Sequence, residues 1–134
     1  MTTATDVMQK DVITIAPETP ILDVYRMFVE EEIHGAPVVD ESGSVRGIVS
    51  TMDLLRLGNE EAYSARDSSG PLTAEDCATR ELVSVSPETS VEEVARTMLA
   101  QRIHRVLVID SKRELLGVIS SFDLLRIVAA LDRR

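Results

Sequence analysis

The sequence predicts an α/β (α+β) fold made of two tandem β-α-β-β-α repeats, related by a pseudo-two-fold and packed as one module. Three observations predict it. First, shifting the chain by 70 positions lays residues 6–57 on residues 76–127 without a gap. Second, within each copy the apolar periodicity switches from strand-like to helix-like and back in the same order. Third, Gly47-Ile48-Val49-Ser50-Thr51-Met52-Asp53 returns as Gly117-Val118-Ile119-Ser120-Ser121-Phe122-Asp123. A gapless match of polar and apolar positions together marks a duplicated unit rather than a chance run.

The elements follow in order. Val12-Ile13-Thr14-Ile15 and Leu82-Val83-Ser84-Val85 have strand composition and are ended by Pro17 and Pro87. Thr19 and Thr89 are expected to cap the next helix. Pro20 suits a first helical position, and Thr89-x-x-Glu92 has capping-box spacing. Ile21, Val24, Tyr25, Phe28 and Val29 then recur at helical intervals, as do Val91, Val94, Ala95, Met98 and Leu99, which predicts one buried stripe per helix. Ala36-Pro37-Val38-Val39 and Val106-Leu107-Val108-Ile109 are short continuous apolar runs, expected as strands buried on both faces. Turns at Asp40-Glu41-Ser42-Gly43 and Asp110-Ser111-Lys112-Arg113 lead to strands over 45–50 and 115–120. Each repeat closes with a helix, over 51–57 and over 121–131.

These readings set the boundaries at residues 1–57 for the first repeat, 58–75 for an acidic, turn-rich linker loop and 76–134 for the second repeat. One repeat alone is too small to be comfortably stable, so the two are expected to share a core, with two related clefts at the seam between them. The apolar tail Ile127-Val128-Ala129-Ala130-Leu131 is hard to cover within so small a monomer, which predicts a homodimer.

Composition excludes several classes. The 134 residues carry 44% hydrophobic and 28% charged side chains, the balance of a soluble globular chain. No apolar run approaches the ~20 residues of a membrane span. The first residues lack a signal-peptide pattern, so a cytoplasmic location with no membrane partner is expected. Cys77 is the single cysteine, which excludes an internal disulfide. A net charge of −9 and 3% aromatic residues argue against nucleic acid as a partner. The charge is uneven, −6 over residues 1–57, −4 over 58–76 and +1 over 77–134, so an anionic ligand is expected to prefer the last segment. No nucleophile–base arrangement, metal-ligand cluster or phosphate-loop pattern occurs, and the chain is expected not to be an enzyme.

The repeated heptapeptide is the candidate site. Strand, Gly, Ser, helix start and Asp place a hydroxyl, free N–H groups and a carboxylate around one helix N-terminus, an arrangement suited to the phosphate and ribose of a nucleotide. Gly47 and Gly117 either make room for a ligand or permit close packing. Ser50 with Asp53, and Ser120 with Asp123, either bind ligand or cap the helix, since Ser-x-x-Asp is also a capping pattern. An ionised Asp can accept two hydrogen bonds from a cis-diol. His34 and His104, the only histidines, occupy matched positions and could be structural or face phosphate; two His without further ligands make a poor metal site. Arg105 can grip a phosphate bidentately, and its counterpart is Gly35.

This pattern resembles a tandem pair of CBS domains, a Bateman module. The resemblance covers nearly the whole chain. It is carried by the early Pro, the amphipathic helix, His34-Gly35-Ala36-Pro37-Val38-Val39-Asp40 and the twofold G-x-x-S-x-x-D element, with Leu107 departing from the pattern where the first repeat has Pro37. The resemblance implies a regulatory, ligand-sensing module, often dimeric. It would bind an adenosine-containing molecule of the AMP, ADP or ATP class in clefts between the repeats, with magnesium admitted beside the phosphates, and signal occupancy to an enzyme, a transporter or a second subunit. It implies that Ser50 and Ser120 meet phosphate, that Asp53 and Asp123 hold ribose hydroxyls, and that Thr14 and Ser84 lie near the adenine pocket. Ile103-His104-Arg105 resembles a His-Arg pair used on phosphates. The alternatives are a structural dimerisation module with empty clefts, or a binder of S-adenosylmethionine or NAD.

Overall fold

The structure, a computed structural model, describes residues 1–57, 71–80 and 82–131. Their order is α1 (Ala4–Val7), α2 (Ile21–Glu31), β1 (Gly35–Val39), β2 (Val45–Ser50), α3 (Thr51–Leu57), α4 (Ala74–Cys77), β3 (Ser84–Val85), α5 (Val91–Gln101), β4 (Arg105–Ile109), β5 (Leu115–Ser120) and α6 (Ser121–Leu131). The duplication is therefore carried into the backbone: helix, two strands and closing helix, twice.

The compact units differ from the sequence repeats. One unit is Ile13–Leu82; the other joins Met1–Val12 to Val83–Arg134. The opening segment of each repeat thus packs on the other repeat's strands. In the first unit Thr79 exchanges both backbone hydrogen bonds with Ile48, at 2.8 and 3.0 Å. In the second unit Gln9 does the same with Val118, at 2.8 and 3.1 Å. Each pairing gives partners to backbone groups along an edge strand, β2 or β5, that would otherwise lie open.

Two short helices deliver these segments, and the sequence reading did not anticipate them. α1 and α4 each open on a threonine whose N–H donates to an aspartate three residues on, Thr3 to Asp6 at 2.8 Å and Thr73 to Asp76 at 2.9 Å. The expected linker over 58–75 lies outside the described residues as far as position 70, and Thr73, Ala74 and Glu75 belong to α4 and its cap. Ala4 and Ala74 are fully buried, which is why so short a helix can sit against its core.

The expected strand over 12–15 is not formed; Ile15 makes a single parallel bridge to Val38. In the second unit the equivalent strand does form as β3, paired in parallel with β4. The difference has a chemical cause. Leu107 donates its N–H to the Val83 carbonyl at 3.1 Å, whereas the matched residue Pro37 has no N–H to donate to position 13.

Helix starts are also displaced from expectation. α2 begins at Ile21 with Pro20 as its N-cap, because Pro20 stays extended while Ile21 donates to Leu72 O at 2.9 Å. α5 is capped by Ser90, which accepts from Glu93 N at 3.2 Å, rather than by a Thr89–Glu92 box. Here Val91 N is held by Thr2 O at 3.1 Å, fixing the cap one residue later.

Two cores result. Ile15, Ile21, Val24, Phe28, Val38 and Val49 anchor the first unit; Val94, Met98, Val106, Val108 and Ile119 anchor the second. Only part of each predicted helical stripe is buried. Tyr25, Val29 and Leu99 are exposed, Leu99 at 79%. In α6, Asp123 is the one buried side chain, and Phe122, Leu125, Val128 and Leu131 are exposed. The stripe is wider than the face the unit's own sheet can cover.

Candidate functional site

The site is built where β2 runs into α3, and again where β5 runs into α6. Ser50 ends its strand and Asp53 lies in the first turn of the helix. Asp53 Oδ2 accepts from Ser50 N at 2.7 Å and from Ser50 Oγ at 3.0 Å, while Asp53 N donates to Ser50 Oγ at 3.4 Å. Asp123 and Ser120 repeat these contacts at 2.7, 3.0 and 3.3 Å. The capping geometry is therefore formed in both copies, and it leaves each Oδ1 to other partners.

Those partners differ. Asp53 Oδ1 accepts from Arg56 Nη1 at 3.3 Å and Thr79 Oγ1 at 3.2 Å. Asp123 Oδ1 accepts from Arg126 Nη1 at 2.6 Å and Gln9 Nε2 at 2.8 Å. Both carboxylates are buried, with Asp53 7% and Asp123 5% exposed. At Asp123 burial alone would push the carboxyl up. The Ser120 backbone and hydroxyl, the Gln9 amide and the Arg126 charge together outweigh burial and hold the carboxyl below the ordinary aspartate value. With four donors, the lone pairs of Asp123 are fully used within its own unit; a diol would have to displace one of them.

The glycines have a packing role. A Cβ at position 117 would lie 2.7 Å from Gln9 O and 2.8 Å from Met8 Sδ, and one at position 47 would lie 2.8 Å from Thr79 O. The space over each glycine is filled by the incoming segment, so the close-packing alternative is the one realised. Gln9 and Thr79 were not singled out from sequence. They are related by the 70-residue shift, but Gln and Thr share no obvious motif.

Arg105 opens β4 directly opposite Ser120, as Gly35 opens β1 opposite Ser50. Its side chain is half-buried and has no hydrogen-bond or ion-pair partner among the described residues. The one cationic candidate therefore stands beside Ser120 and not beside Ser50. His34 and His104 are exposed and reach the turns through their backbone, each carbonyl accepting from the first helix residue, Thr51 N at 2.9 Å and Ser121 N at 2.8 Å. Both residues also line open apolar grooves, one in each unit. Thr14 and Ser84 are exposed; Ser84 lies on β3 in register with Leu107 of β4, and so across β4 from Val118. Among the described residues no group of three potential metal ligands occurs, and no helix is long and apolar enough to cross a membrane.

Two repeats of this strand–helix unit, each with its Ser-x-x-Asp turn, match one known family. The model of the CBS domain matches residues 4–60 and 74–130, and the chain belongs to that family as a tandem CBS pair. It is similar to human 5'-AMP-activated protein kinase subunit gamma-3, with 29% identity over 119 residues, 87% of this chain and 24% of that protein. The chain thus spans about a quarter of that curated relative. Among solved structures, CBSX2 of Arabidopsis thaliana in complex with AMP superposes with a TM-score of 0.86 at 25% identity, covering 98% of this chain and 99% of that one. The CBS pair of MJ0100, in complex with 5'-methylthioadenosine and S-adenosyl-L-methionine, gives 0.81 at 25% identity, covering 97% and 98%.

Proposed function

We propose that this chain is a non-catalytic regulatory module that binds an adenine nucleotide of the AMP, ADP or ATP class at its two Ser-x-x-Asp turns. Occupancy is passed to a partner enzyme or transporter, or to a second copy in a cytoplasmic homodimer. The observation that carries this is the same buried carboxylate presented twice at a strand–helix junction. Likeness to a CBS pair in complex with AMP supports the ligand class. Ser50 and Ser120 face phosphate, Asp53 and Asp123 take the ribose hydroxyls, and Arg105, with His104 beside it, adds a charge-assisted phosphate contact at one turn. His34 plays the lesser role in the first repeat, where Gly35 replaces the arginine. Thr14 and Ser84 approach the adenine. Magnesium, if required, accompanies ATP rather than the protein.

The mechanism is a shift of population. A nucleotide that binds one arrangement of the module more tightly stabilises that arrangement, by an amount set by its differential affinity. A second reading, structural pairing without ligand, is favoured by one observation: every acceptor site of Asp123 is satisfied within its unit. A thermal-shift series with AMP, ADP, ATP, NAD and S-adenosylmethionine separates the two. Ligand at a hundred times its dissociation constant should stabilise the chain by about 2.7 kcal/mol. No shift with any of the five ligands supports the structural reading.

A further inference from the structure

The dipeptides that cross the two Ser-x-x-Asp turns are not alike. Met8-Gln9 lies over Gly117 and reaches Asp123, while the matched Ala78-Thr79 lies over Gly47 and reaches Asp53. Each crossing falls within one compact unit. Paired backbone hydrogen bonds fix Gln9 on Val118 and Thr79 on Ile48, and in both cases the side chain alone can turn away. The larger side chains stand at the second turn, a thioether where the first has a methyl and an amide where the first has a hydroxyl. The Gln9 amide holds Asp123 Oδ1 at 2.8 Å, whereas the Thr79 hydroxyl stands 3.2 Å from Asp53 Oδ1.

A ligand hydroxyl that donates to Asp123 needs a lone pair that is already taken. Ser120 holds Oδ2 through its N–H and its hydroxyl, and both bonds belong to the helix cap. Arg126 holds Oδ1 at 2.6 Å, with its guanidinium 5.5 Å from the centre of the Phe122 ring. Removing it would strip a buried carboxylate of its counter-charge. Gln9 is the remaining donor, and it is neutral. Exchanging its N–H for a ligand hydroxyl leaves the charge of the site unchanged. Gln9 is also exposed, so water can take up the released amide. At the first turn the same exchange gives up only the longer Thr79 contact.

We propose that Gln9 is a latch on the second turn. Its side-chain amide occupies the place of a ribose hydroxyl at Asp123 and swings out when a nucleotide binds; Thr79 obstructs the first turn far less. This rests on the nucleotide reading above and names the residue that sets the affinity of one turn. A site that is mostly closed binds more weakly in proportion to its open fraction. The latch therefore weakens every ligand that carries the diol by the same factor, because the displaced bond is the same. Arg105 acts on phosphate alone and sets the preference of AMP over adenosine. The two turns thus fill unequally, adenosine entering the first before the second. The fully bonded Asp123 is then the closed form of a binding site rather than a helix cap alone.

The test is titration calorimetry of AMP and of adenosine into the full chain carrying Asp53→Asn, which silences the first turn, with and without Gln9→Thr. Threonine is the residue the matched position already carries on the same backbone pairing, and circular dichroism verifies the fold. Gln9→Thr should bind both ligands about ten-fold more tightly and leave the ratio of AMP to adenosine unchanged. Thr79→Gln in a chain carrying Asp123→Asn is the converse, and it should bind both about ten-fold more weakly. The wild type gives a reading that needs no variant. The chain has two glutamines, Gln9 and Gln101, and saturating AMP should move the side-chain amide resonances of Gln9 while those of Gln101 stay. Gln9→Thr binding no tighter than its parent, or a Gln9 amide unmoved at saturating AMP, would overturn the latch while leaving the nucleotide site intact. No binding of either ligand by wild type or any variant would overturn the nucleotide reading itself, and the latch with it.

Discussion

Gln9 Nε2 donates to Asp123 Oδ1 at 2.8 Å, joining two residues 114 positions apart through a single side-chain contact. The segment that pairs with β5 therefore also holds the carboxylate at the start of α6. Thr79 and Asp53 make the matched contact in the other unit at 3.2 Å, through a hydroxyl instead of an amide.

Gln9→Leu should destabilise the chain by about 1–3 kcal/mol, because it leaves a buried carboxylate short of one donor. The effect has a pH signature. The Asp123 carboxyl sits below its ordinary value in the folded chain, so its contribution is present above the unfolded value of about 3.9 and is lost as pH falls through the folded value. The gap between wild type and Gln9→Leu in urea denaturation should be full near neutral pH and shrink below about pH 4. A gap that stays constant down to acid pH would detach Gln9 from the ionisation of Asp123.

Gly117→Ala and Gly47→Ala should each cost about 1–3 kcal/mol, since the added methyl meets a carbonyl oxygen of a paired segment that cannot yield without giving up its hydrogen bonds. Thermal melts of the two variants check this. Unchanged melting temperatures would mean that these segments pack less tightly than described.

Ser90→Ala should cost about 1 kcal/mol of stability, the worth of an N-cap, and Thr89→Ala clearly less. Chemical denaturation of the pair decides which residue caps α5. A larger loss for Thr89→Ala than for Ser90→Ala would place the cap where the sequence motif alone puts it.

Arg105→Ala should weaken AMP by about one to two decades and leave adenosine nearly unaffected, because a charge-assisted phosphate contact is worth roughly 1.5–3 kcal/mol. Asp53→Asn and Asp123→Asn should weaken AMP and adenosine alike, since both ligands carry the diol. If Arg105→Ala binds AMP as wild type does, the arginine is a surface residue and the phosphate contact is misassigned.

Much of the fold was legible because duplication states the same pattern twice. The strands β1, β2, β4 and β5 and the helices α2, α3, α5 and α6 all lie where periodicity puts them, and the Ser-x-x-Asp turns stand at the expected junctions. What was not legible depended on pairing at a distance. Nothing local to Gln9 or Thr79 shows that they reach Asp123 and Asp53, 114 and 26 residues away. Nothing local to Pro20 or Thr89 shows that a strand-like bridge delays the helix by a residue. Two signals could have been used. Thr3-Ala4-Thr5-Asp6 recurs as Thr73-Ala74-Glu75-Asp76 at the same 70-residue shift, a capping pattern that marks α1 and α4. The exchange of Leu107 for Pro37 foretells which unit keeps its first strand. The exposure of Tyr25, Val29 and Leu99 was beyond reach, because a stripe shows which side of a helix is apolar and not what covers it.

The central claim is that the repeated Ser-x-x-Asp turns form a nucleotide site. Titration calorimetry of AMP into the full chain tests it most directly, alongside a variant carrying both Asp53→Asn and Asp123→Asn. Wild type should bind at micromolar-class affinity, about −8 kcal/mol, and the double variant, verified as folded by its circular dichroism, should bind at least ten-fold more weakly. A wild type that takes up AMP no better than the folded double variant would contradict the account and leave the two carboxylates as helix caps alone.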